Sequence, residues 1–584
     1  MSVFTSVKLR KPKRNKFNLS HERKFTLDGG YLTPILCQDI VPGDKWKLRT
    51  ELLLKMQALR APIMHRVNVY CHFFFVPYRL IWNDFEAFYT GGVDGTESPV
   101  YPTIAFTEHA MSTIPPLNGI DQGARYVGAG SLMDYLGFPV IDNPNGAITP
   151  VSGIGPEDPI SALPFRAYQL IWNEYYRDQN LQDPYEVDKS SGAKLLTDAD
   201  SLVDYFQLRR RAWEKDYFTS ALPFAQRGPD VTLPIDAKAS FGNGIIGQAQ
   251  MSGSRLTIEG DGQATSNGNK SIIAEVTAQN PQALSQGVVE GTDANDQNGI
   301  VTSIKGTVGT SSDVDVKGNN SDIPLEVSGP TINELRRSIR VQEWFEKNAR
   351  GGARLIEQIL SHFGVRGSDS RLQRPEYLGG GVQPVVVSEL LQTSESTKQS
   401  PQGTQTGNGV SLGSTNQFKR FFEEPGILMG IMSVIPKPSY QQGIPRQWLH
   451  RDKFDFYWPE FAHLGEQEIK NEELFHAPAT FPNNNNDGVF GYAPRYSEYK
   501  YIPSSVHGEF RGTMDFWHLG RIFNSRPGLN ADFISVDPAD FDRVFPVQTH
   551  DQEGDLYTEG RMYCQLYHHI TAKRPMPKFG TPIL

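Results

Sequence analysis

The stretch "HRVNVYCHFFFVPY", residues 65–78, has the pattern of a strand that is covered on both faces. One face of this strand carries a row of apolar residues. The other face is mixed at Tyr70 and His72 but becomes apolar at Phe74. Pro77 stops the strand, since proline cannot donate a ladder hydrogen bond. A strand buried on both sides predicts a packed sandwich. Its main apolar row is Val67, Val69, Cys71, Phe73 and Phe75.

Further strand-like segments lie at both ends of the chain, with helices and loops between them. One antiparallel sandwich with long surface excursions explains this split, because long connections cost little extra closure entropy. The sequence therefore predicts a mainly β fold. The predicted strand regions are residues 30–78, 381–392, 426–437, 512–519 and 560–577.

Helical periodicity marks the segments between the strands. The stretch "LPFRAYQLIWNEYYRDQNLQDP", residues 163–184, has one apolar stripe, with Ser161 as a plausible N-cap and Pro164 in the first turn. Glu174 and Arg177 are spaced for an ion pair, which the sequence favours over a catalytic role. Other predicted helices are residues 80–89, 201–218, 331–350 and 353–363.

Three stretches differ in composition from the rest of the chain. Residues 235–330 contain one aromatic residue, Phe241, and are rich in Gly, Ser, Asn and Thr; they predict an exposed outgrowth with small hairpins. Residues 394–417 are almost free of apolar side chains and predict a flexible polar loop. Residues 1–24 are strongly basic and predict an extended arm, which either contacts phosphates or is a solvated tail.

Composition excludes several classes of protein. The 584-residue chain has a net charge of −9, so the molecule as a whole is not a general nucleic-acid binder. Its three cysteines are far apart, which argues against a disulfide framework and fits a reducing compartment. We find no signal core and no apolar run of membrane-spanning length, so we expect no membrane insertion.

The search for catalytic chemistry finds no constellation. The sequence has no P-loop, no C-x-x-C pair and no G-x-S-x-G elbow. His568 and His569 are sequential, so on a strand they point to opposite faces and do not form a metal site. We therefore predict no catalytic residue, no metal and no cofactor.

The stretch "FGYAPRYSEYKY", residues 490–501, interleaves aromatic and charged residues. This composition is found where bases stack and also where proteins contact one another. The interface interpretation is favoured. Its candidate contact residues are Tyr492, Arg495, Tyr496, Glu498 and Tyr499.

Seven stretches follow one another over most of the chain and together are typical of one family. They are "FFVPYRLIWNDFEAF" (74–88), "LPFRAYQLIWNEYYRDQNLQDP" (163–184), "FTSALPFAQRGPDVTLP" (218–234), "RVQEWFEKNARGGARLIEQILSHFGV" (340–365), "RLQRPEYLGGG" (371–381), "GYAPRYSEYK" (491–500) and "FPVQTH" (545–550). With these stretches the sequence resembles the major capsid proteins of microviruses, which are small single-stranded DNA bacteriophages. The resemblance is greatest to the gokushovirus branch, and residues 235–330 and 394–417 fall outside it.

The resemblance implies an eight-stranded antiparallel jelly roll with long helical and loop insertions, formed by residues 25–234 and 331–584. It implies a T=1 icosahedral shell of many copies around a circular single-stranded DNA genome. Residues 235–330 lie where such proteins have an insertion that forms three-fold protrusions, so we expect a variable surface knob that meets the host. The arm, residues 1–24, would lie inside the shell.

The resemblance also implies partners and a location. The partners are other copies of the chain, the genome, a small basic DNA-packaging protein, a minor pilot protein, a scaffolding protein during assembly and a receptor on the host surface. The location is the virion, and the bacterial cytoplasm during assembly. Contacts with neighbouring subunits are expected from Arg166, Glu174, Tyr176 and Arg177. Contacts with DNA are expected from Lys8, Arg10, Lys11, Lys13, Arg14 and Lys16.

Two alternatives from other classes remain. One is an enzyme built on a loop-rich β fold, which would need a catalytic constellation. The other is a monomeric DNA-binding protein for packaging or replication, for which a strongly basic chain is expected. Closed megadalton particles would distinguish a capsid protein from both.

Overall fold

The computed structural model describes most of the chain. The described residues are 14–91, 96–114, 126–140, 154–227, 373–391, 393, 402–480, 484–546 and 561–579, with short segments between 236 and 346. The chain divides into two compact units. The larger is Met1–Arg227 with Phe345–Leu584, and the smaller is Gly228–Trp344.

The larger unit is mainly β. Its strands before the insertion are β1 (Asn15–Asn18), β2 (His21–Leu27), β3 (Thr33–Ile40), β4 (Lys45–Met56), β5 (Val67–Pro77), β6 (Thr103–Phe106), β7 (Ile160–Ser161) and β8 (Ala193–Leu196). The smaller unit has β9 (Asp236–Ala239), β10 (Gln248–Ser252), β11 (Arg255–Ile258), β12 (Ala274–Thr277), β13 (Gly287–Glu290), β14 (Ser303–Gly306), β15 (Asp313–Asp315) and β16 (Leu325–Ser328). The larger unit then continues with β17 (Glu376–Pro384), β18 (Val386–Leu391), β19 (Gln405–Ser414), β20 (Phe418–Phe421), β21 (Gly426–Pro436), β22 (Glu466–Lys470), β23 (Val489–Pro494) and β24 (Met562–Arg574).

Helical segments of the larger unit are short. The α-helices are Phe85–Thr90, Glu108–Ser112, Leu132–Leu136, Leu163–Ile171, Ala199–Phe206, Asn471–Leu474 and Ala531–Ile534, and Trp172–Tyr176 is a π-helical turn. The 3-10 turns are Tyr78–Leu80, Arg446–Trp448, Pro459–Phe461, Ser497–Tyr499, Gly508–Arg511, Asp515–Trp517 and Pro538–Val544.

Two antiparallel sheets form the sandwich. The first has the order β1-β24-β4-β19-β18, with β2 also on β24 and β20 also on β4, and the second has the order β17-β5-β21-β3. If β2, β3, β4, β5, β17, β19, β21 and β24 are numbered one to eight, the sheets run 1-8-3-6 and 2-7-4-5. This order is compatible with the eight-stranded jelly roll that the resemblance implies, and the jelly roll itself stays a prediction. The first sheet also has β1, β18 and β20 beyond these eight strands.

The core between the sheets follows from strict alternation. In β4, "KWKLRTELLLKM", every second residue is buried, including Trp46, Leu48 and Leu52. The alternating residues of β24 and one face of β5 complete the same cluster. Burying these side chains contributes roughly 1.5–3 kcal/mol each relative to exposure. The predicted antiparallel β-sandwich is confirmed.

Strand β5 is buried on both faces, as its sequence predicts. Phe73 and Phe75 belong to the core between the sheets, while Phe74 and Val76 belong to a second core on the other side. Strand β21, which pairs with β5 along its whole length, is buried at every residue. The second sheet is therefore the middle layer, between the first sheet and the helical excursions.

The helix Leu163–Ile171, called the aromatic helix below, builds the second core. Phe165 and Tyr168 are fully buried, and the Tyr168 hydroxyl donates to the Leu32 carbonyl at 2.8 Å. The helix is shorter than predicted, since it passes into the π-helical turn and the backbone of Arg177 is extended. Its N-cap is Ala162, although the hydroxyl of Ser161 accepts from the Leu163 N–H at 3.4 Å.

The predicted flexible loop at residues 394–417 is wrong for residues 405–414, which form β19 inside the first sheet. The strand is rich in glycine because its neighbours approach closely. A Cβ at Gly409 would lie 2.5 Å from the Met56 sulfur, and one at Gly407 would lie 2.7 Å from the Ala61 carbonyl oxygen. The small side chains of β19 give no apolar pattern, so the sequence does not reveal a strand whose backbone packs closely against its neighbours.

The predicted boundary of the arm is also wrong. Strands β1 and β2 both pair antiparallel with β24, so residues 15–24 belong to the first sheet. The alternating burial of "HERKFTL" in β2 explains why charged residues are compatible with a strand here. Residues 1–13 lie outside the described part of the chain.

The other predicted elements differ from the structure in part, and one lies outside the described residues. Residues 512–519 are not a strand but contain the 3-10 turn Asp515–Trp517. The helix predicted at 201–218 is only Ala199–Phe206, because the backbone turns to an extended conformation at Gln207. The helix from Thr331 is present at 337–343 and 345–346. The helix predicted at 353–363 lies outside the described residues.

The smaller unit contains the predicted small hairpins. Strands β12-β11-β10-β15 form one antiparallel sheet, β13 pairs with β14, and β9 pairs with β16. The pairing of β9 with β16 brings the two ends of this insertion together, with Ala239 opposite Leu325.

Candidate subunit interface and nucleic-acid contacts

A dense group of large apolar side chains is exposed on two neighbouring loop segments of the larger unit. We call this group the aromatic surface. Trp448 is 73% exposed and Ile502 is 87% exposed, which is unusual for side chains that gain free energy by leaving water. Its members are Trp448, Phe454, Phe456, Tyr457, Trp458, Leu464, Tyr499, Tyr501 and Ile502.

Local hydrogen bonds hold the two segments together. The Trp458 backbone N–H donates to the Tyr496 hydroxyl at 3.2 Å, and the ring of Tyr457 lies 4.9 Å from that of Tyr496. The Asp455 carboxylate accepts from the backbone N–H groups of Arg451 and Asp452 at 2.8 and 2.9 Å. Burial opposes ionisation of Asp455, but these donors hold its pKa below the usual value. The exposed rings therefore stand on an ordered base.

A buried ionic network lies beneath this base. Arg446 Nη1 is 2.7 Å from Glu473 Oε1 and its Nε is 3.8 Å from Glu498, and the Tyr217 hydroxyl donates to Glu473 at 2.8 Å. Burial raises the pKa of Glu473 despite the favourable contact with Arg446. A buried carboxylate with these partners is held in place by the fold, and the network fixes the position of the turn Ser497–Tyr499.

The structure separates the interface residues predicted in residues 490–501. Tyr499 belongs to the aromatic surface, with 54% of its side chain exposed. Tyr496 is 3% exposed and its ring and hydroxyl are used inside the chain, so its interface role stays a prediction. Glu498 accepts from Gln467 Nε2 at 2.6 Å and is also largely buried. Arg495 donates to the Phe454 carbonyl at 3.4 Å, and Tyr492 is half-buried on β23.

The candidates near the aromatic helix are mostly used within the chain. Arg166 is 3% exposed, donates to the Ile81 carbonyl at 3.2 Å and lies 3.8 Å from Asp188, so it is used within the chain and its contact with a neighbouring subunit stays a prediction. The Tyr176 hydroxyl is 2.8 Å from His72 Nδ1, and Arg177 donates to the Gln182 carbonyl at 2.6 Å. Glu174 is half-buried, and its subunit contact stays a prediction.

Of the predicted DNA contacts, the described residues include Arg14 and Lys16 only. Both are exposed, and the Arg14 guanidinium lies 5.1 Å above the ring of Phe421. Their role stays a prediction. The other four lie outside the described residues: Lys8, Arg10, Lys11 and Lys13.

Sequence reasoning missed most of the aromatic surface. The stretch "RQWLHRDKFDFYWPEF", residues 446–461, contains six aromatic residues of the Trp, Tyr and Phe types and no helical or strand period. That combination was a usable signal, because large rings without an amphipathic pattern cannot all enter one core.

The described residues contain no group of three or more His, Cys, Asp or Glu side chains that could hold a metal ion. A polar depression is lined by Arg451, Glu472, His476, Asn485 and Asp487, among others. Its carboxylates are engaged by cations, with Glu472 3.4 Å from Arg451 and Asp487 3.4 Å from both Arg451 and Lys470. None of the helices in the described ranges has the length and apolar character needed to cross a membrane.

Comparison with known proteins gives these surfaces a context. Residues 5–584 match the model of a family described as capsid protein (F protein). The chain belongs to this family. Its relatives include capsid protein VP1 of Chlamydia phage 1, at 35% identity over 99% of this chain and 97% of that protein. Capsid protein VP1 of Bdellovibrio phage phiMH2K is 33% identical, covering 97% of this chain and 95% of that protein.

A third relative, capsid protein VP1 of Spiroplasma virus 4, is 27% identical over 97% of this chain and 95% of that protein. The predicted resemblance to gokushovirus-like microvirus capsid proteins is confirmed. This member of the capsid protein family is a structural protein and not an enzyme, and it assembles with other copies of itself as part of a virion.

Proposed function

We propose that this chain assembles into a closed T=1 icosahedral shell around a circular single-stranded DNA genome. The observation that carries the proposal is the family match over residues 5–584, which includes the whole sandwich as well as its insertion. The two antiparallel sheets of the sandwich support this proposal, since their strand order is compatible with a capsid jelly roll.

In this proposal the aromatic surface is a contact between copies of the chain. Interface centres are enriched in Trp, Tyr and Phe, and the exposed members of this group have that composition. An ordered base with exposed rings loses little side-chain entropy on binding, which favours association. Tyr499 is the sequence-predicted interface residue that lies in this surface.

The insertion, residues 235–330, is proposed as the exposed protrusion at the three-fold axes that meets a host receptor. Its polar composition, with few aromatic residues, supports exposure. Gly228–Trp344 also form a compact unit of their own. A separate unit can vary without disturbing the sandwich.

Charge supports one of the remaining proposed partners. The chain has a net charge of −9, so it does not by itself offset the phosphates of an enclosed genome. We infer that a small basic packaging protein supplies part of the positive charge and that the basic residues before β1, residues 1–14, supply more from inside the shell. The family resemblance adds a scaffolding protein during assembly in the bacterial cytoplasm and a minor pilot protein to the proposed set.

The test is expression of the full chain with its phage partners, followed by size-exclusion chromatography and electron microscopy. We expect closed particles of megadalton mass that protect DNA from nuclease. A stable monomer that binds DNA would contradict the proposal and favour the alternative of a packaging or replication protein. Closed particles that never contain DNA would contradict the genome part alone.

A further inference from the structure

The outward face of the first sheet is strongly basic. Alternate residues of β1, β2, β4, β20 and β24 point away from the core and are exposed. The basic residues at these positions are Lys16, Lys24, Lys45, Lys47, Arg49, Lys55, Lys419 and Lys573. The acidic ones are Glu22 and Glu51. We call this surface the basic sheet face, and its sign is opposite to the net charge of the chain.

The strand register places like charges directly opposite one another. Lys573 is the cross-strand partner of both Lys16 and Lys45, and Lys47 is the partner of Lys419. Like charges in such positions destabilise a sheet. In the described part of the chain, no ion pair joins any of these five lysines to a carboxylate. The fold therefore holds a row of cations together although their mutual repulsion destabilises the sheet. An external anion bound to this row would remove the destabilisation.

The two glutamates on this face do not neutralise the row. Glu51 is 3.3 Å from Arg49 and 3.0 Å from His569, and Glu22 is 3.3 Å from Lys24. Their charge is therefore matched by neighbours other than the five lysines. Along β4, the spacing of Lys45, Lys47 and Arg49 is about 7 Å per step, because antiparallel strands rise about 3.4 Å per residue.

Aromatic rings lie among these cations. Phe421 is the cross-strand partner of Lys45 and is 41% exposed, and Tyr563 is the partner of Lys55 and is 48% exposed. Arg14 stacks over Phe421 where the basic N-terminal sequence enters β1. Exposed rings beside cations stack bases while the cations contact phosphates. An acidic peptide would use the cations but would gain little from the rings.

We propose that the basic sheet face binds single-stranded nucleic acid through phosphate contacts from Lys16, Lys45, Lys47, Lys419 and Lys573 and through base stacking on Phe421 and Tyr563. This inference rests on the proposed function, since the strand it binds is the enclosed genome. Binding is independent of sequence, because rings and lysines of this kind contact features that every nucleotide shares.

The test measures binding of fluorescent oligo-dT to dissociated full-length subunits over a series of salt concentrations. The triple variant Lys45→Gln, Lys47→Gln and Lys573→Gln is expected to lower the salt slope by about 2, since each lost phosphate contact on a single strand removes about 0.7. The matched control is Lys189→Gln, Lys194→Gln and Lys437→Gln, which removes the same charge elsewhere and is expected to keep the slope.

Equal slopes for the two triple variants would overturn the proposal. Folding is checked by urea unfolding, where relief of the like-charge row leaves the midpoint of the first variant unchanged or higher.

The nature of the ligand is tested with Phe421→Ala and Tyr563→Ala, which are expected to weaken oligo-dT binding but not polyglutamate binding. Equal loss for both probes would overturn the selectivity for nucleic acid, and no loss for either probe would overturn base stacking on these two rings. The DNA content of purified particles is measured separately, and particles without DNA would contradict the proposed function whatever the slope.

Discussion

His568 is a polar side chain held between the two sheets. It is fully buried, with its Nδ1 2.8 Å from the Thr50 hydroxyl and its Nε2 3.1 Å from the Ile35 carbonyl oxygen. Burial lowers its pKa to about 4, and the nearby His21 acts in the same direction. The imidazole is therefore neutral at pH 7 and joins strands of both sheets through hydrogen bonds.

Acid should weaken the fold at this residue. The unfolded chain binds a proton at His568 near pH 6.5 while the folded chain does so only near 4, so its contribution is complete above pH 6.5 and is lost as the pH falls. The urea-unfolding free energy of the native chain should approach that of His568→Gln by about 1.4 kcal/mol per pH unit in this window. A constant difference between the two would contradict the assignment, and His463→Gln, at an exposed position, is the control.

Single residues also show which features of the structure can be predicted from the sequence and which cannot. The opposite orientation of His568 and His569 follows from the two-residue period of a strand, and the structure confirms it. The sequence did not reveal the partners of Arg166 inside the chain, because Ile81 and Asp188 are distant from it in sequence. A helical period gives the face on which a residue lies, but it does not give the segment that covers that face.

At the scale of elements, strands with strong alternation were predictable and elements built on backbone packing were not. Strands β4 and β24 follow from alternation, and β5 and β21 follow from apolar runs that are buried on both faces. Strand β19 did not, because its glycines are required by close neighbours that the sequence does not reveal. The aromatic surface has no period at all, since it consists of turns held by hydrogen bonds.

The aromatic surface should be necessary for assembly but not for folding. Replacement of Trp448 and Ile502 by Ser removes exposed apolar area, so the urea midpoint of the subunit should stay within error. Each interface truncation of this kind costs roughly 1 kcal/mol or more in association, which is about fivefold or more per contact. The yield of particles by sedimentation should fall sharply, whereas Val100→Ser, which is also exposed, should assemble normally. Normal assembly of the double variant would contradict the interface role.

At the scale of the whole molecule, the split of strands between the two ends of the chain predicted one sandwich with excursions. It did not predict which strands pair, because β2 and β24 are separated by nearly the entire chain. The order of the strands in the two sheets depends on contacts between residues that are far apart in the sequence. The periodicity within one segment does not show those contacts. The bounds of the insertion, 235–330, were predicted from composition and stay a prediction, while the compact unit of the structure is Gly228–Trp344.

The register of β9 and β16 permits a precise deletion of the insertion. Ala239 and Leu325 are opposite each other, so residues 240–324 can be replaced by an Asn-Gly turn of hairpin geometry. Shells should still form by electron microscopy, while attachment to the host should fall. Failure to assemble, with the subunit still folded, would mean that the insertion is structural. Unchanged attachment would contradict its proposed contact with a receptor.

The position of β24 has a consequence for fragments of the chain. This strand lies between β2 and β4, so a fragment that stops before residue 562 lacks the middle member of the first sheet. Strands β1 and β2 then have no β24 with which to pair, although both lie near the beginning of the chain. The first sheet can therefore close only after residues 562–574 have been synthesised.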